Sequence, residues 1–180
     1  SYNSEKKIAV FSDLKKNIKI TKEMIPVATQ LFTPDWIVRY MVENSLGRLW
    51  AEGHKKLKDW DYYIEEAKQE KEVESYLMEL KKNYKTLKPQ EIKCIDPCCG
   101  SGNILAYLFD VLMQIYKECG YSTKDAVTSI IQNNIYGLDI DEHAAQLAYF
   151  TIIMKVRQYN GEFIEDKPHI YAIMESNQVL

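Results

Sequence analysis

Apolar positions recur at different periods along this chain, and each change of period marks an element. From Thr33 to about Trp50, Ile37, Tyr40, Met41, Ser45 and Leu49 fall on one stripe, predicting an amphipathic helix. From Glu52 to Lys88, Trp60, Tyr63, Ile64 and Ala67, then Val73, Leu77, Leu80, Tyr84 and Leu87, keep the same spacing, which predicts a long helix or helical hairpin. Cys94-Ile95-Asp96 is a short apolar run ending in an acid and reads as a strand. Asn103 to Cys119 is helical, with Ile104, Leu108, Val111, Leu112 and Ile115 on one side and Gly120 as its stop. Ser122 or Thr123 caps a second helix reaching about Gln132. A strand over Ile135–Ile140, a helix from Glu142 to about Gln158, a turn at Asn160-Gly161 and a strand from His169 to Met174 complete the series. Strand and helix alternate, so the fold class is α/β with a parallel sheet. The chain divides into a polar arm (1–28) with short helical patches such as Asp13 to Ile18, a helix-bearing segment (29–51), a charged helical insertion (52–90) and the strand-containing part (91–180).

The residues joining the first strand to its helix carry the chemistry. In Asp96-Pro97-Cys98-Cys99-Gly100-Ser101-Gly102, two glycines give the backbone conformations and close approach that other residues forbid. Asp96 ends its strand at the carboxyl side, where open α/β sheets bind ligands. A dinucleotide fingerprint needs a third glycine, where Leu105 stands, and an acid about 20 residues on. The next strand-ending acid, Asp139, comes 37 residues after Gly102. A phosphate loop needs Lys and then Ser or Thr after the second glycine, and Asn103-Ile104 stands there. Asp139-x-Asp141 lacks the further oxygen ligands of a calcium loop, and Asp141 reads as the N-cap of the following helix.

Composition narrows the classes further. At 180 residues and 46% hydrophobic content the chain can bury one core. It has neither a membrane-length apolar run nor a signal-peptide pattern, and cytoplasmic localisation with no membrane partner is expected. The start at Ser1-Tyr2-Asn3, without Met, reads as a processed or partial chain. Net charge is −3, and Glu52 to Lys88 holds nine lysines against nine acids, so the run Lys81, Lys82, Lys85, Lys88 reads as a solvated face. Without a basic stripe, this chain should hold DNA poorly by itself. Cys94, Cys98, Cys99 and Cys119 form no C-x-x-C pair, so no metal is expected, and reduced, half-buried thiols fit best. His54, His143 and His169 are scattered, without a nucleophile signature.

Taken together, the motifs resemble those of the S-adenosylmethionine-dependent methyltransferases, and among them the amino-methylating DNA enzymes. Asp96 to Gly102 is similar to their first motif, D-P-x-C-G-S-G, and Gly137 to Asp141 to the acid-bearing end of their second strand. Phe32-Thr33-Pro34 is similar to the upstream F/Y-T-P string of one class, with Thr33 as N-cap and Pro34 as first helical residue. The resemblance spans roughly Gln30 to Leu180. It is strongest, over Gln30 to Trp50 and Phe109 to Gln158, to the large methyltransferases of BREX phage-defence systems and type IIG restriction–modification enzymes.

The resemblance implies the first three strands of a Rossmann-like methyltransferase sheet, with an N-terminal helical segment and a long helical insertion. It implies S-adenosylmethionine as cofactor, bound by Thr33, Asp96, Pro97, Cys98, Gly100, Ser101, Gly102, Asp139, Ile140 and Glu175. Asp96 and the loop would face the methionine end, Asp139 the ribose diol and Ile140 the adenine. Glu175 or Asn177 would supply a polar contact at the adenine edge. It further implies methyl transfer to adenine N6 of DNA in phage defence or restriction–modification. The family's N/D-P-P-Y/F string is missing, since no two of Pro26, Pro34, Pro89, Pro97 and Pro168 are adjacent. The catalytic residues and the DNA contacts are therefore expected beyond residue 180, along with contacts to other defence-system proteins, and this part alone should be inactive. An RNA or protein-glutamine methyltransferase, or a non-catalytic cofactor-binding scaffold, shares the cofactor motifs and stays open at this point.

Overall fold

The structure, a computed structural model, describes residues 33–57, 59–65, 67–160 and 165–174. The expectations placed on 1–28 and on Phe32, Glu175 and Asn177 lie outside the described residues. Three strands, β1 (Cys94–Asp96), β2 (Ile135–Asp139) and β3 (His169–Ala172), pair in parallel in the order β1-β2-β3. Cys94 faces Ile135, Asp96 faces Gly137, and Asp139 faces Ala172. The α/β class and the three-strand partial sheet are as the sequence implies.

Helices α1 (Asp35–Glu43), α2 (Leu46–Gly53) and α3 (Lys71–Tyr84) precede the sheet. Helix α4 (Asn103–Glu118) follows β1, α5 (Thr123–Ser129) runs into a π-helical turn Ile130–Asn134, and α6 (Glu142–Asn160) joins β2 to β3. The core forms where α4 lies on the sheet: Leu105, Phe109, Val111, Leu112, Ile115 and Tyr116 are all fully buried. Ala148 and Ile152 of α6 and Ile135 of β2 close around them.

Several local expectations hold. Ser122 Oγ accepts the amide of Asp125, capping α5. Helix α4 ends in a Schellman motif: Gly120 has φ +81°, its amide reaches Lys117 O, and the Tyr121 amide reaches Tyr116 O. Asp141 caps α6, its Oδ1 accepting the His143 amide at 3.0 Å.

Other expectations are corrected. Thr33 is not an N-cap. Pro34 takes that place with an extended ψ of 142°, and its carbonyl accepts the first helical amides, Ile37 and Val38. The stripe from Thr33 to Trp50 is two helices, because the Asn44 amide and Ser45 hydroxyl bond back to the carbonyls of Tyr40 and Met41 and compete with the helical ladder. Asn44 then pairs with Tyr62 O and Ile64 N, acting as one more peptide unit for the segment that returns past it. Where a long helix or helical hairpin is expected over 52–88, the described residues beyond α2 are α-helical only at Lys71–Tyr84. Trp60 lies in an irregular stretch and plugs the gap above Gly47, its Nε1 donating to Gln114 of α4. Helix α3 buries none of its residues and meets α2 where a Cβ on Gly53 would fall 2.3 Å from Tyr84 O. Cys98 and Cys119 are exposed rather than half-buried. Burial pushes the Cys94 thiol up to about 11 and the Cys99 thiol up to about 12.

The two faces of the sheet differ. Ile135, Gly137, Asp139 and Ile170 point under the helices, whereas Ile95, Tyr136, Leu138 and Tyr171 share the opposite face, with Ile95 63% and Tyr171 55% exposed. Beside β1's outer edge runs a cleft of about 670 Å³, walled by Tyr40 and Met41 of α1 and floored by Ile104 and Leu108. Parallel sheets are ordinarily covered on both faces. Residues 1–180 expressed alone should therefore self-associate through this face and edge. Light scattering should show concentration-dependent oligomers that Ile95→Lys combined with Tyr171→Lys disperses. A monodisperse wild-type monomer at high concentration would contradict this.

Candidate functional site

The loop 97–102 lies across the carboxyl ends of β1 and β2, held there by the backbone, by two carboxylates and by one hydroxyl. Cys99 N donates to Leu138 O at 2.9 Å, Gly102 N to Cys99 O at 2.8 Å, and Gly100 N to Asp139 Oδ2 at 2.8 Å. Thr151 of α6 donates to Ser101 O at 3.0 Å. Gly100 and Gly102 both have positive φ, +53° and +85°. At Gly102 a side chain would also meet α6, since an added Cβ would stand 3.0 Å from Ala148 Cα. The second glycine thus opens α4 and seats that helix against α6.

Two carboxylates end the two strands at this loop. Asp139 is 3% exposed: Oδ2 takes the Gly100 amide and Oδ1 the Asp141 amide. A carboxylate has about four acceptor positions, so each oxygen keeps one. Asp96 is also buried; Oδ1 accepts the Cys98 amide at 3.1 Å, while Oδ2 has no hydrogen-bond partner. Burial raises the Asp96 carboxyl above its ordinary range, the Cys98 amide opposes this, and nearby Asp139 adds to it. Pro97 and Cys98 are exposed, Ser101 is half-buried, and Ile140 is 56% exposed just past β2.

Seven of the residues singled out in the sequence, Asp96, Pro97, Cys98, Gly100, Ser101, Gly102 and Asp139, thus meet at one sheet end, with Ile140 following directly. Thr33, just before α1, makes none of the hydrogen bonds that knit this cluster. Helix α1 approaches it through the cleft that Tyr40 and Met41 share with Asp96 and Pro97. Sequence reasoning missed Thr151 and Ala148, the α6 residues beneath the loop. The three-residue spacing of Ala145 and Ala148 was the available signal, a small-residue strip where something packs closely. His54 stacks on Trp50 and His169 on Tyr136, away from the loop.

Comparison with known proteins follows the same lines. The chain is 48% identical over 160 residues to the adenine-specific methyltransferase BrxX of Escherichia coli O9:H4 (strain HS), covering 87% of this chain and 13% of that protein. It is 41% identical over 180 aligned residues to the adenine-specific methyltransferase PglX of Lacticaseibacillus casei (strain Zhang), covering 93% of this chain and 14% of that one. The chain therefore spans about one seventh of the length of these relatives. The family model described as MmeI, DNA-methyltransferase domain, matches residues 60–178, a stretch that holds both strand-ending acids and the loop between them. By that match, the chain belongs to the MmeI DNA-methyltransferase domain family.

Proposed function

We propose that this chain forms the S-adenosylmethionine site of a DNA methyltransferase that acts on adenine N6. The observation that carries the reading is the pairing of Asp96 and Asp139 around one glycine loop in a chain of this family. The residues fit the cofactor's groups. The buried, unpartnered Oδ2 of Asp96 suits the ammonium of the methionine end. The free acceptor positions of Asp139 suit the ribose diol, and charge-assisted bonds of that kind are the stronger sort. Ile140 offers an exposed apolar surface for the adenine. Pro97, Cys98, Gly100, Ser101 and Gly102 bring backbone and small groups to the methionine end; in this reading Thr33, just before α1, would add a contact there and Glu175 one at the adenine edge.

When bound, the cofactor supplies an electrophilic methyl group on its sulfonium. The residues of this chain bind and orient it, and positioning is their share of the catalysis. DNA is the substrate of the whole protein, held by polypeptide outside these 180 residues. Other proteins of a phage-defence or restriction–modification system are its partners, and the cytoplasm is its compartment. The full-length protein, with partner proteins added, should transfer labelled methyl groups to adenine N6 of unmethylated DNA, and residues 1–180 alone should not. Label on RNA or on protein glutamine would overturn the substrate, and failure to bind S-adenosylmethionine would overturn the cofactor.

The state of Asp96 gives a pH dependence. Its carboxyl is raised in the fold, so the ligand-free protein gains stability from it at low pH. That increment is lost as pH rises from the ordinary carboxylate value through the raised one. An ammonium on Oδ2 requires the ionised form and reverses the preference. Affinity for S-adenosylhomocysteine should therefore fall as pH is lowered through the raised range of the Asp96 carboxyl. Asp96→Asn should flatten that profile and weaken binding at neutral pH, yet leave the ligand-free protein at least as heat-stable. Calorimetry across the pH series checks this, and a flat wild-type profile would refute it.

A further inference from the structure

Glu43 is fully buried in the last turn of α1, and the site just described makes no use of it. Its Oε1 accepts the Tyr107 hydroxyl at 2.7 Å, and its Oε2 accepts the Tyr62 amide at 2.7 Å. Tyr107 belongs to α4, one turn after the glycine loop opens that helix. Four residues before Glu43, and so on the same side of α1, the Arg39 guanidinium lies 5.4 Å from the centre of the Tyr107 ring. Arg39 in turn pairs with Asp35 at 2.9 Å in the first turn of α1, two residues past Thr33. One tyrosine thus meets α1 at two points a helical turn apart, a cation over its ring and a carboxylate on its hydroxyl. Two such points fix both the rotation of α1 and its position along its axis.

A similar tie lies on the other side of α4. Lys155 of α6 bonds both oxygens of Asp110 at 2.6 and 2.8 Å, and the Tyr159 hydroxyl adds a bond at 3.0 Å. Helix α4 therefore braces, through polar contacts, the two helices that start at the other motifs. A hydrogen bond to the buried Glu43 carboxylate is expensive to leave unmade, and the partly buried Asp110 adds a second tie, so these contacts hold their partners in one arrangement.

We propose that the Glu43–Tyr107 bond is a positioning device that sets the Thr33 end of α1 against the glycine loop, and so tunes recognition of the amino-acid end of the cofactor in particular. This rests on the cofactor reading above. Neither residue touches the cofactor; both act through α1. The Asp139 side, which would take the nucleoside, is braced separately through α6 and should be indifferent to the bond.

The experiment compares two ligands on the full-length protein by calorimetry: S-adenosylhomocysteine, and 5′-methylthioadenosine, which has the nucleoside but no amino-acid end. Tyr107→Phe keeps the ring and the Arg39 contact and removes only the hydroxyl. It should weaken S-adenosylhomocysteine about fivefold to tenfold, a share of one bond to a charged group, and 5′-methylthioadenosine less than about twofold. Glu43→Gln should restore the arrangement, since its carbonyl can accept the Tyr62 amide while its NH2 donates to the Tyr107 oxygen; both affinities should stay within about twofold of wild type. Equal weakening of both ligands by Tyr107→Phe would mark a merely structural bond and overturn the proposal, as would an unchanged affinity for S-adenosylhomocysteine. Should the wild-type protein bind neither ligand, the cofactor reading itself falls, an outcome distinct from either of these.

Discussion

Asp139→Ala should weaken binding of S-adenosylhomocysteine by about 1.5–3 kcal/mol, the scale of hydrogen bonds to a charged acceptor. Two losses combine in that figure. The diol loses its acceptor, and the Gly100 and Asp141 amides, now bonded to Oδ2 at 2.8 Å and Oδ1 at 2.9 Å, are left to find water or other partners. The second loss loosens the loop before any ligand arrives. Asp139→Asn separates the two, because one amide oxygen can still anchor either Gly100 or Asp141 while the negative charge toward the diol is gone. Asparagine should recover most of the lost thermal stability and little of the affinity. Calorimetry and melting curves on the full-length protein measure both. Unchanged affinity in the alanine variant, or a wild-type preference for NAD, would remove Asp139 from the ribose.

Gly102→Val should be the most damaging single change in the loop. It places a β-branched side chain at φ +85°, which costs about 1–2 kcal/mol. Its Cβ also arrives 3.0–3.1 Å from the Cα and Cβ of Ala148, and overpacking of that kind costs about 1–3 kcal/mol more. Gly120 provides the control. It has nearly the same φ, +81°, but nothing within 4 Å of an added Cβ, so Gly120→Val should show the strain without the crowding. Adding Ala148→Gly to Gly102→Val should return only the share of the crowding that the Ala148 Cβ causes, since its Cα stays in place. Denaturant unfolding of these three variants beside the wild type resolves the two costs. Equal losses at Gly102 and Gly120 would mean that α6 simply gives way.

What the sequence shows clearly is what local chemistry decides. Gly102, Gly120, Ser122 and Asp141 each sit where a backbone angle or an orphan amide demands their type, and the structure uses them so. The loop and both strand-ending acids were legible for the same reason. Periodicity misled wherever a distant partner decided the outcome. Trp60, Tyr63 and Ile64 have helical spacing, but Trp60 fills the space above Gly47, and Asn44 captures the backbone at Tyr62 and Ile64. An indole that finds a hole 13 residues away overrides a weak helical preference. Glu43 was invisible in sequence because a buried acid on an amphipathic stripe looks like a surface one until Tyr107, 64 residues on, is brought beside it.

The strand order has a further consequence, for folding as the ribosome delivers the chain. Because β1, β2 and β3 lie side by side in the order of synthesis, each new strand finds its neighbour already in place, reached by a crossover that brings its own helices. These three strands can assemble early, while the face carrying Ile95 and Tyr171 stays open. For that interval they form an adhesive intermediate of the kind that holdase chaperones recognise. The load this protein places on those chaperones should therefore depend on how long synthesis dwells just after β3.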